Sequence, residues 1–291
     1  MKRILSLTFI VLFCFISFCY ALAPKTHNKI NEYIAYNTIG SFSLDQYLKN
    51  QLGLQNGKNE ILNFKYVWQW LGEGGGKEDV PYWYMPYLRS VNHFHNPLED
   101  DIEDAGFSGI WGTGFCSGES SILWSQEPSG EQSPGGHYSW HDVRDYFYTA
   151  LTATDNITRE SNFAETFRGL GQLLHLIEDL SDPEHARDDG HYFPAYEEWA
   201  ANTNNVNIDP ENGIFTVAGI NCTQNGTECF PIFYDRAVLG NQSHIPEATV
   251  PIANLFDTKQ YNGSNPDLRG TWDLRGTVLK LGVSFIICLG K

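Results

Sequence analysis

The sequence predicts a mainly α-helical single domain with long connecting loops. Apolar residues recur at helical spacing over most of the chain, and no internal repeat or linker divides it. The 291 residues are enough to bury a sizeable core. With 42% hydrophobic and 19% charged residues, the composition is globular and excludes the collagen-like and disordered classes.

The N-terminal part is predicted to contain three helices. Residues 26–36 carry apolar side chains on one face, and Ser43 is suited to cap the helix that follows it. Residues 58–71 form a third amphipathic pattern that ends at Gly72. Because the segment from 72 to 97 is rich in Gly and Pro, we expect it to be mostly loop.

Two long helices are predicted in the central part. One follows Ser139 and runs through Thr154, and the other runs from Thr158 to Leu180, where Ser181-Asp182-Pro183 ends it. The remaining expected elements are a helix beginning near Pro194, a polar region at 202–244 with a hairpin around 213–230, and helices over 245–256 and 274–289.

The N-terminus has the pattern of a secretory signal peptide. Two cations are followed by an apolar run and then by small residues, so cleavage after Ala21 would leave Leu22 as the mature N-terminus. Residues 1–21 are therefore predicted to be the signal and residues 22–291 the helical domain, in a secreted or periplasmic protein. The alternative is an uncleaved membrane anchor, because the apolar run approaches the length of about 20 residues that spans a membrane.

The charge of the chain limits its partners. Lys and Arg total 19 and Asp and Glu total 35, a net charge of −16. A protein that follows the phosphates of a nucleic acid normally presents a basic stripe, so no stable nucleic-acid partner is expected. A phosphate-bearing substrate would need its charge neutralised by bound metal ions.

Histidines and acidic residues are concentrated between positions 170 and 199. His175 and Asp179 lie four residues apart, so on a helix they project from the same face and can hold one cation. Asp182-Pro183 then turns the chain so that later histidines can approach. Nitrogen and oxygen ligands without thiolate suit Zn²⁺, with Mn²⁺ or Fe²⁺ as alternatives. The full set in this segment is His175, Asp179, His185, His191 and Glu197.

These motifs resemble those of the bacterial zinc-dependent phospholipases C, which share a helical fold with the fungal single-strand-specific zinc nucleases. The family pattern is His-x3-Asp, a turn with Pro, a His six residues after the Asp, and then a further His and an acidic residue. The segment HFHNP, which begins at His93, matches the family's His-Phe-x-x-Pro, and Asp79 precedes it by a short loop. Thr26-His27 matches the family's N-terminal Thr-His, so the resemblance covers residues 26 to about 200.

The resemblance implies a cluster of three zinc ions. The first would be bound by His93, His175 and Asp179, with Asp79 as a further ligand or as the catalytic base. The second would take His27 and the amine and carbonyl of Leu22, and would share Asp179 as a bridge. The third would take His185, His191 and Glu197, although the spacing of the last two departs from the family and Glu198 is an alternative.

The function implied is hydrolysis of a phosphodiester by metal-activated water. We expect a phospholipase C that acts on phospholipid headgroup esters, with transient contact with a membrane surface through exposed apolar loops. The alternatives are a single-strand-specific zinc nuclease and a secreted zinc-binding protein with little turnover. The aromatic residues Tyr82, Trp83, Tyr84 and Tyr87 could form a cage for a choline-type cation or could be structural. Oligomeric state is left open by the sequence.

Overall fold

The computed structural model describes residues 22–39, 41–79, 89–96, 99, 101–109, 112–114, 116–180, 185–186, 188 and 200–217. This part of the chain is mainly helical, as the sequence predicts. Its helices are α1 (Pro24–Tyr36), α2 (Leu44–Asn50), α3 (Val67–Lys77), α4 (Ser121–Trp124), α5 (Trp140–Thr152) and α6 (Asn156–Asp179). Short 3-10 turns lie at Gly57–Asn59 and Ser90–Asn92.

The described strands form three separate antiparallel hairpins. They are β1 (Thr38–Ile39) with β2 (Phe42–Ser43), β3 (Ile61–Leu62) with β4 (Lys65–Tyr66), and β5 (Val206–Asp209) with β6 (Ile214–Val217). The hairpin predicted around 213–230 falls mostly outside the described residues, and the described hairpin β5–β6 turns near Gly213. The Phe215 ring packs edge-on against Tyr33 of α1, with ring centroids 5.4 Å apart, so burial of Phe215 fixes this hairpin on the core.

Side-chain caps set the starts of three helices. Ser43 accepts a hydrogen bond from the Gln46 amide, as its predicted capping role requires. Ser139 caps α5 and forms a reciprocal pair of bonds with Asp142, whose carboxylate accepts from the Ser139 amide. Asp155 caps α6 by accepting from the Thr158 amide at 2.8 Å, so α6 begins two residues before the predicted start.

The prediction for residues 58–97 was wrong in its first half. A 3-10 turn and the β3–β4 hairpin occupy the start of the predicted helix, and α3 begins only at Val67. It then continues through the glycine-rich segment that was expected to be loop. The reason is close packing: a Cβ on Gly74 would lie 2.0 Å from the Arg168 carbonyl oxygen, and one on Gly171 would lie 2.1 Å from that of Leu71. The glycines are therefore required by a helix crossing.

The core lies between α3 and its neighbours. Helix α3 packs against α1 and α6, and α5 packs on the other side of α6. The C-terminal half of α6 is almost wholly buried, so its polar side chains must find partners inside the protein. Buried apolar side chains at these contacts include Ile30, Ile34, Leu71, Val143, Phe163, Leu170 and Leu174.

Several predicted features lie outside the described residues. They are the signal peptide over residues 1–21, the helix near Pro194, the helices over 245–256 and 274–289, and the aromatic run beginning at Tyr82. Within the described ranges, every helix is too short or too polar to cross a bilayer.

Candidate metal centre

Four segments bring histidine and aspartate side chains into one buried cluster. His27 comes from the first turn of α1, Asp79 follows α3, His93 follows the second 3-10 turn, and His175 and Asp179 lie in the last turns of α6. All five side chains are 0–1% exposed. Residues that are far apart in sequence therefore share one interior position, which we call the metal centre.

The Asp179 carboxylate lies at the middle of the metal centre. Its Oδ2 is 2.7 Å from Nδ1 of His93 and 3.0 Å from Nε2 of His175, and its Oδ1 is 3.1 Å from Nε2 of His27. One carboxylate therefore contacts three imidazoles. Burial alone would raise the pKa of Asp179, but the charges of His175 and His27 hold it well below its ordinary value.

His175 is oriented by the glycine-rich part of α3. Its Nδ1 lies 2.8 Å from the carbonyl oxygen of Gly75, so this nitrogen carries the proton and donates it to the carbonyl. Its Nε2 faces the carboxylates, 3.0 Å from Asp179 and 3.5 Å from Asp79. The His27 ring stacks on the His175 ring with centroids 3.7 Å apart. The helix crossing that requires glycine thus also fixes the tautomer of a candidate metal ligand.

Among the described residues, two groups of three side chains have the geometry to hold a cation. One consists of His27, Asp79 and His175, and the other of His93, His175 and Asp179. Within each group the ligand atoms lie within 4.8 Å of one another. Because both groups use His175, they describe one joined centre and not two separate sites.

The donor atoms of this centre fit a metal ion. Both oxygens of Asp79, both oxygens of Asp179 and Nε2 of His27 and His175 are buried without a hydrogen bond among the described residues. They are near enough for ion pairing but are not aligned as hydrogen bonds. Because a buried polar atom without a partner is costly, bonds to a cation would compensate for their burial.

The pKa values of the imidazoles reflect the surrounding acids. Burial lowers the pKa of each ring, but nearby carboxylates outweigh it and raise the pKa of His27 and His93, and that of His175 strongly. Asp179 acts on all three rings, Asp79 acts on His175 and Glu178 on His27. In the metal-free chain the centre is therefore a network of buried ion pairs.

Glu178 is a member of this site that sequence reasoning missed. Its Oε2 lies 2.5 Å from Nδ1 of His27, and both side chains are buried. The bond leaves Nε2 of His27 directed towards Asp179. Glu178 directly precedes Asp179 in sequence, but neighbours on a helix point in directions about 100° apart. Its contact with α1 therefore depends on tertiary packing that the spacing does not reveal.

A second missed feature is the buried ion pair between Glu78 and Arg89. Arg89 binds the Glu78 carboxylate, donates to the Pro134 carbonyl at 3.0 Å and lies 4.5 Å above the Trp124 ring. Burial alone would raise the pKa of Glu78, but Arg89 and His93 lower it to about 2. Glu78 is 3.7 Å from Nε2 of His93, so the pair forms one wall of the metal centre.

Of the other predicted ligands, His185 and Leu22 are among the described residues, and His185 belongs to neither group of three. The His185 ring is buried and stacks on Phe94 at 4.2 Å, and its carbonyl accepts from the His95 amide. The Leu22 side chain is fully buried in the apolar core just before α1. His191, Glu197 and Glu198, predicted for the third ion, lie outside the described residues.

Comparisons of the chain with protein-family models, with curated proteins and with solved structures found no match.

Proposed function

We propose that this protein is a zinc-dependent phosphodiester hydrolase of the phospholipase C type. The observation that supports it best is the Asp179 carboxylate, which is fully buried and lies within 3.1 Å of three imidazole nitrogens from three parts of the chain. Buried, convergent ionisable groups with shifted pKa values are a frequent property of functional sites.

The residues of the metal centre divide by position. His93, His175 and Asp179 would hold one zinc ion, and His27, whose Nε2 faces the other oxygen of Asp179, would hold a second. Asp79, which lies 3.5 Å from Nε2 of His175, would be a further ligand or the base. When bound, such ions lower the pKa of a coordinated water and neutralise charge on a phosphoryl oxygen. Ligands of nitrogen and oxygen without thiolate are those that a catalytic zinc site uses.

The chain itself supplies orientation and a base. The Gly75 carbonyl accepts a hydrogen bond from Nδ1–H of His175, and the Glu178 carboxylate accepts one from Nδ1–H of His27. Nε2 of each ring is therefore available as a ligand. Asp79 has two buried oxygens without hydrogen bonds among the described residues, and a carboxylate so placed can accept the proton of an attacking water. An acidic protein can bind an anionic substrate at such a centre because the local charge is set by the cations.

The test combines metal analysis with substrate profiling of the mature protein. We expect more than one zinc ion per chain and zinc-dependent release of phosphorylated headgroup from phosphatidylcholine. Asp179→Asn should lower both zinc content and hydrolysis, the latter by at least about 100-fold, since even an outer-shell residue can cost 10–100-fold. His137→Ala is the matched control, because His137 is exposed and lies outside the metal centre.

The same experiment separates the alternatives. Zinc-dependent cleavage of single-stranded DNA without cleavage of phosphatidylcholine would replace the phospholipase assignment by the nuclease one. Stoichiometric zinc with hydrolysis of neither substrate would indicate a zinc-binding protein. Absence of stoichiometric metal after dialysis against zinc would overturn the proposal altogether.

A further inference from the structure

A second concave site lies at the other end of α3 from the metal centre. This pocket has a volume of about 700 Å³ and lies among α1, the β3–β4 hairpin, the start of α3 and the β5–β6 turn. Trp68, in the first turn of α3, lines the pocket, whereas Gly75, seven residues further along the helix, accepts the hydrogen bond from His175 of the metal centre. A helix rises about 1.5 Å per residue, so the two positions are roughly 10 Å apart along the axis.

Three aromatic rings form one wall of the pocket. Tyr36 meets Trp68 edge-on with centroids 5.4 Å apart, and Tyr66 stacks on Trp68 at 6.1 Å with an interplanar angle of 16°. The rings support one another, so the wall exists before any ligand binds. Tyr66 remains 39% exposed, and ring faces of this kind attract cations through their quadrupole.

The charged residues of the pocket have one sign. Glu60 and Glu211 line it, and its other described lining residues include no Lys, Arg or His. The Glu60 carboxylate accepts a hydrogen bond from the Asn56 amide at 2.9 Å, which holds its charge at the site. Burial and then the carboxylates of Glu211 and Glu32 raise the pKa of Tyr36, as expected where the potential is negative.

The wall already attracts a cation from the chain itself. The Lys58 ammonium lies 4.6 Å from the centroid of the Tyr36 ring. Lys58 is not among the residues that line the pocket. A neutral sugar would also use aromatic and amide groups, but it would not benefit from the two carboxylates of the lining.

We propose that this pocket binds a small methylated ammonium ion, with Tyr36, Tyr66 and Trp68 as the aromatic wall and Glu60 and Glu211 as the counter-charges. A methylated ammonium gives up its weak hydration at little cost and presents apolar methyl groups to the rings. This chemistry is shared by free solutes and by the headgroups of some lipids. The site is separate from the metal centre and does not depend on the proposed hydrolase function.

The test is a titration of the mature protein with tetramethylammonium at constant ionic strength, in which saturation-transfer NMR of the ligand measures binding. We expect saturable binding, and binding of the neutral near-isostere 2,2-dimethylpropan-1-ol that is at least about fivefold weaker. Glu60→Gln with Glu211→Gln keeps the shape and should weaken binding about fivefold or more. Trp68→Ala should abolish it, and Tyr148→Ala, which removes an exposed ring on α5, should leave it unchanged.

Absence of saturation at concentrations well above about 10 mM, a range that corresponds to negligible affinity, would overturn the proposal. Equal binding of the neutral near-isostere, or unchanged binding by the double Gln variant, would also overturn it. If tetramethylammonium binds, displacement by phosphatidylcholine vesicles assigns the pocket to a lipid headgroup, and absence of displacement assigns it to a free solute. Asp179→Asn should leave binding unchanged, so failure here and failure of the hydrolase proposal are distinguishable.

Discussion

Replacement of Gly74 by alanine is expected to force α3 and α6 apart. The new Cβ would lie 2.0 Å from the Arg168 carbonyl oxygen and 2.8 Å from the Gly171 Cα. An ordinary carbon–oxygen contact is about 3.3 Å, so the deficit is about 1.3 Å. Since both obstacles are backbone atoms, no side-chain rotation relieves the clash, and the helices themselves must move.

The free-energy cost follows from two opposing effects. Overpacking of a core costs about 1–3 kcal/mol, and backbone obstacles place Gly74→Ala near the upper end. Alanine also gains about 1 kcal/mol of helix propensity over glycine, which leaves a net loss of about 2 kcal/mol. At about 2–4 °C per kcal/mol for a domain of this size, the melting temperature should fall by about 4–8 °C.

The assay is thermal unfolding by calorimetry with zinc present, beside Gly76→Ala as control. A Cβ on Gly76 would lie 3.1 Å from the Pro24 carbonyl oxygen and 3.4 Å from Cβ of Asn28, so small shifts suffice. We expect the control to unfold within about 2 °C of the unmodified protein. Equal stability of Gly74→Ala and the unmodified protein, or an equal loss in Gly76→Ala, would refute the argument from the helix crossing.

Three further predictions concern the metal centre and its support. Glu178→Leu should lower zinc affinity about 10–100-fold by releasing His27, and Glu178→Gln, which keeps an acceptor, should lower it less. Competition with a chromophoric chelator measures both affinities. Equal losses of affinity in the two variants would contradict a positioning role for Glu178. In the protein treated with a chelator, the three imidazoles have raised pKa values, so their contribution to folding stability is complete below about pH 6.5 and is lost as the pH rises through those values. Thermal unfolding without zinc should therefore show stability that falls as the pH rises. The zinc-loaded protein, whose ligands are neutral imidazoles, should not lose stability over the same pH range. Ser139→Ala should cost about 1 kcal/mol through loss of the α5 cap and leave zinc content unchanged, so any loss of zinc in that variant would show that α5 supports the site.

The sequence predicts those parts of the structure that depend on local pattern. Apolar spacing indicates α1, α5 and α6, and the predicted cap at Ser43 lies where side-chain chemistry requires it. The four-residue spacing of His175 and Asp179 places both on one face of α6, and the structure brings their donor atoms within 3.0 Å. Such features need no knowledge of the rest of the chain.

Tertiary packing decides the features that the sequence does not reveal. Glycines disfavour a helix individually, so the part of α3 beyond Leu71 cannot be predicted unless one knows that α6 passes within contact distance of Gly74. The ion pair of Glu78 with Arg89 joins residues that are 11 positions apart in the sequence. The glycines of α3 are favoured because α6 packs against them, and the buried charge of Glu78 is stabilised because Arg89 lies beside it.

The charges of the metal centre themselves favour a bound cation. Of the buried acids Glu78, Asp79, Glu178 and Asp179, only Glu78 has a permanent cation, Arg89, as its partner within the part of the chain that the structure describes. The other three face imidazoles whose ordinary pKa is 6.5, so without metal at neutral pH the centre must bind protons in an environment that penalises charge. Bound dications would balance the carboxylates while the imidazoles stay neutral, and would supply partners for the unbonded oxygens of Asp79. Metal binding should therefore contribute to stability as well as to activity: at a free concentration 100 times the dissociation constant it adds about 2.7 kcal/mol, and chelation should lower the melting temperature by about 5–11 °C.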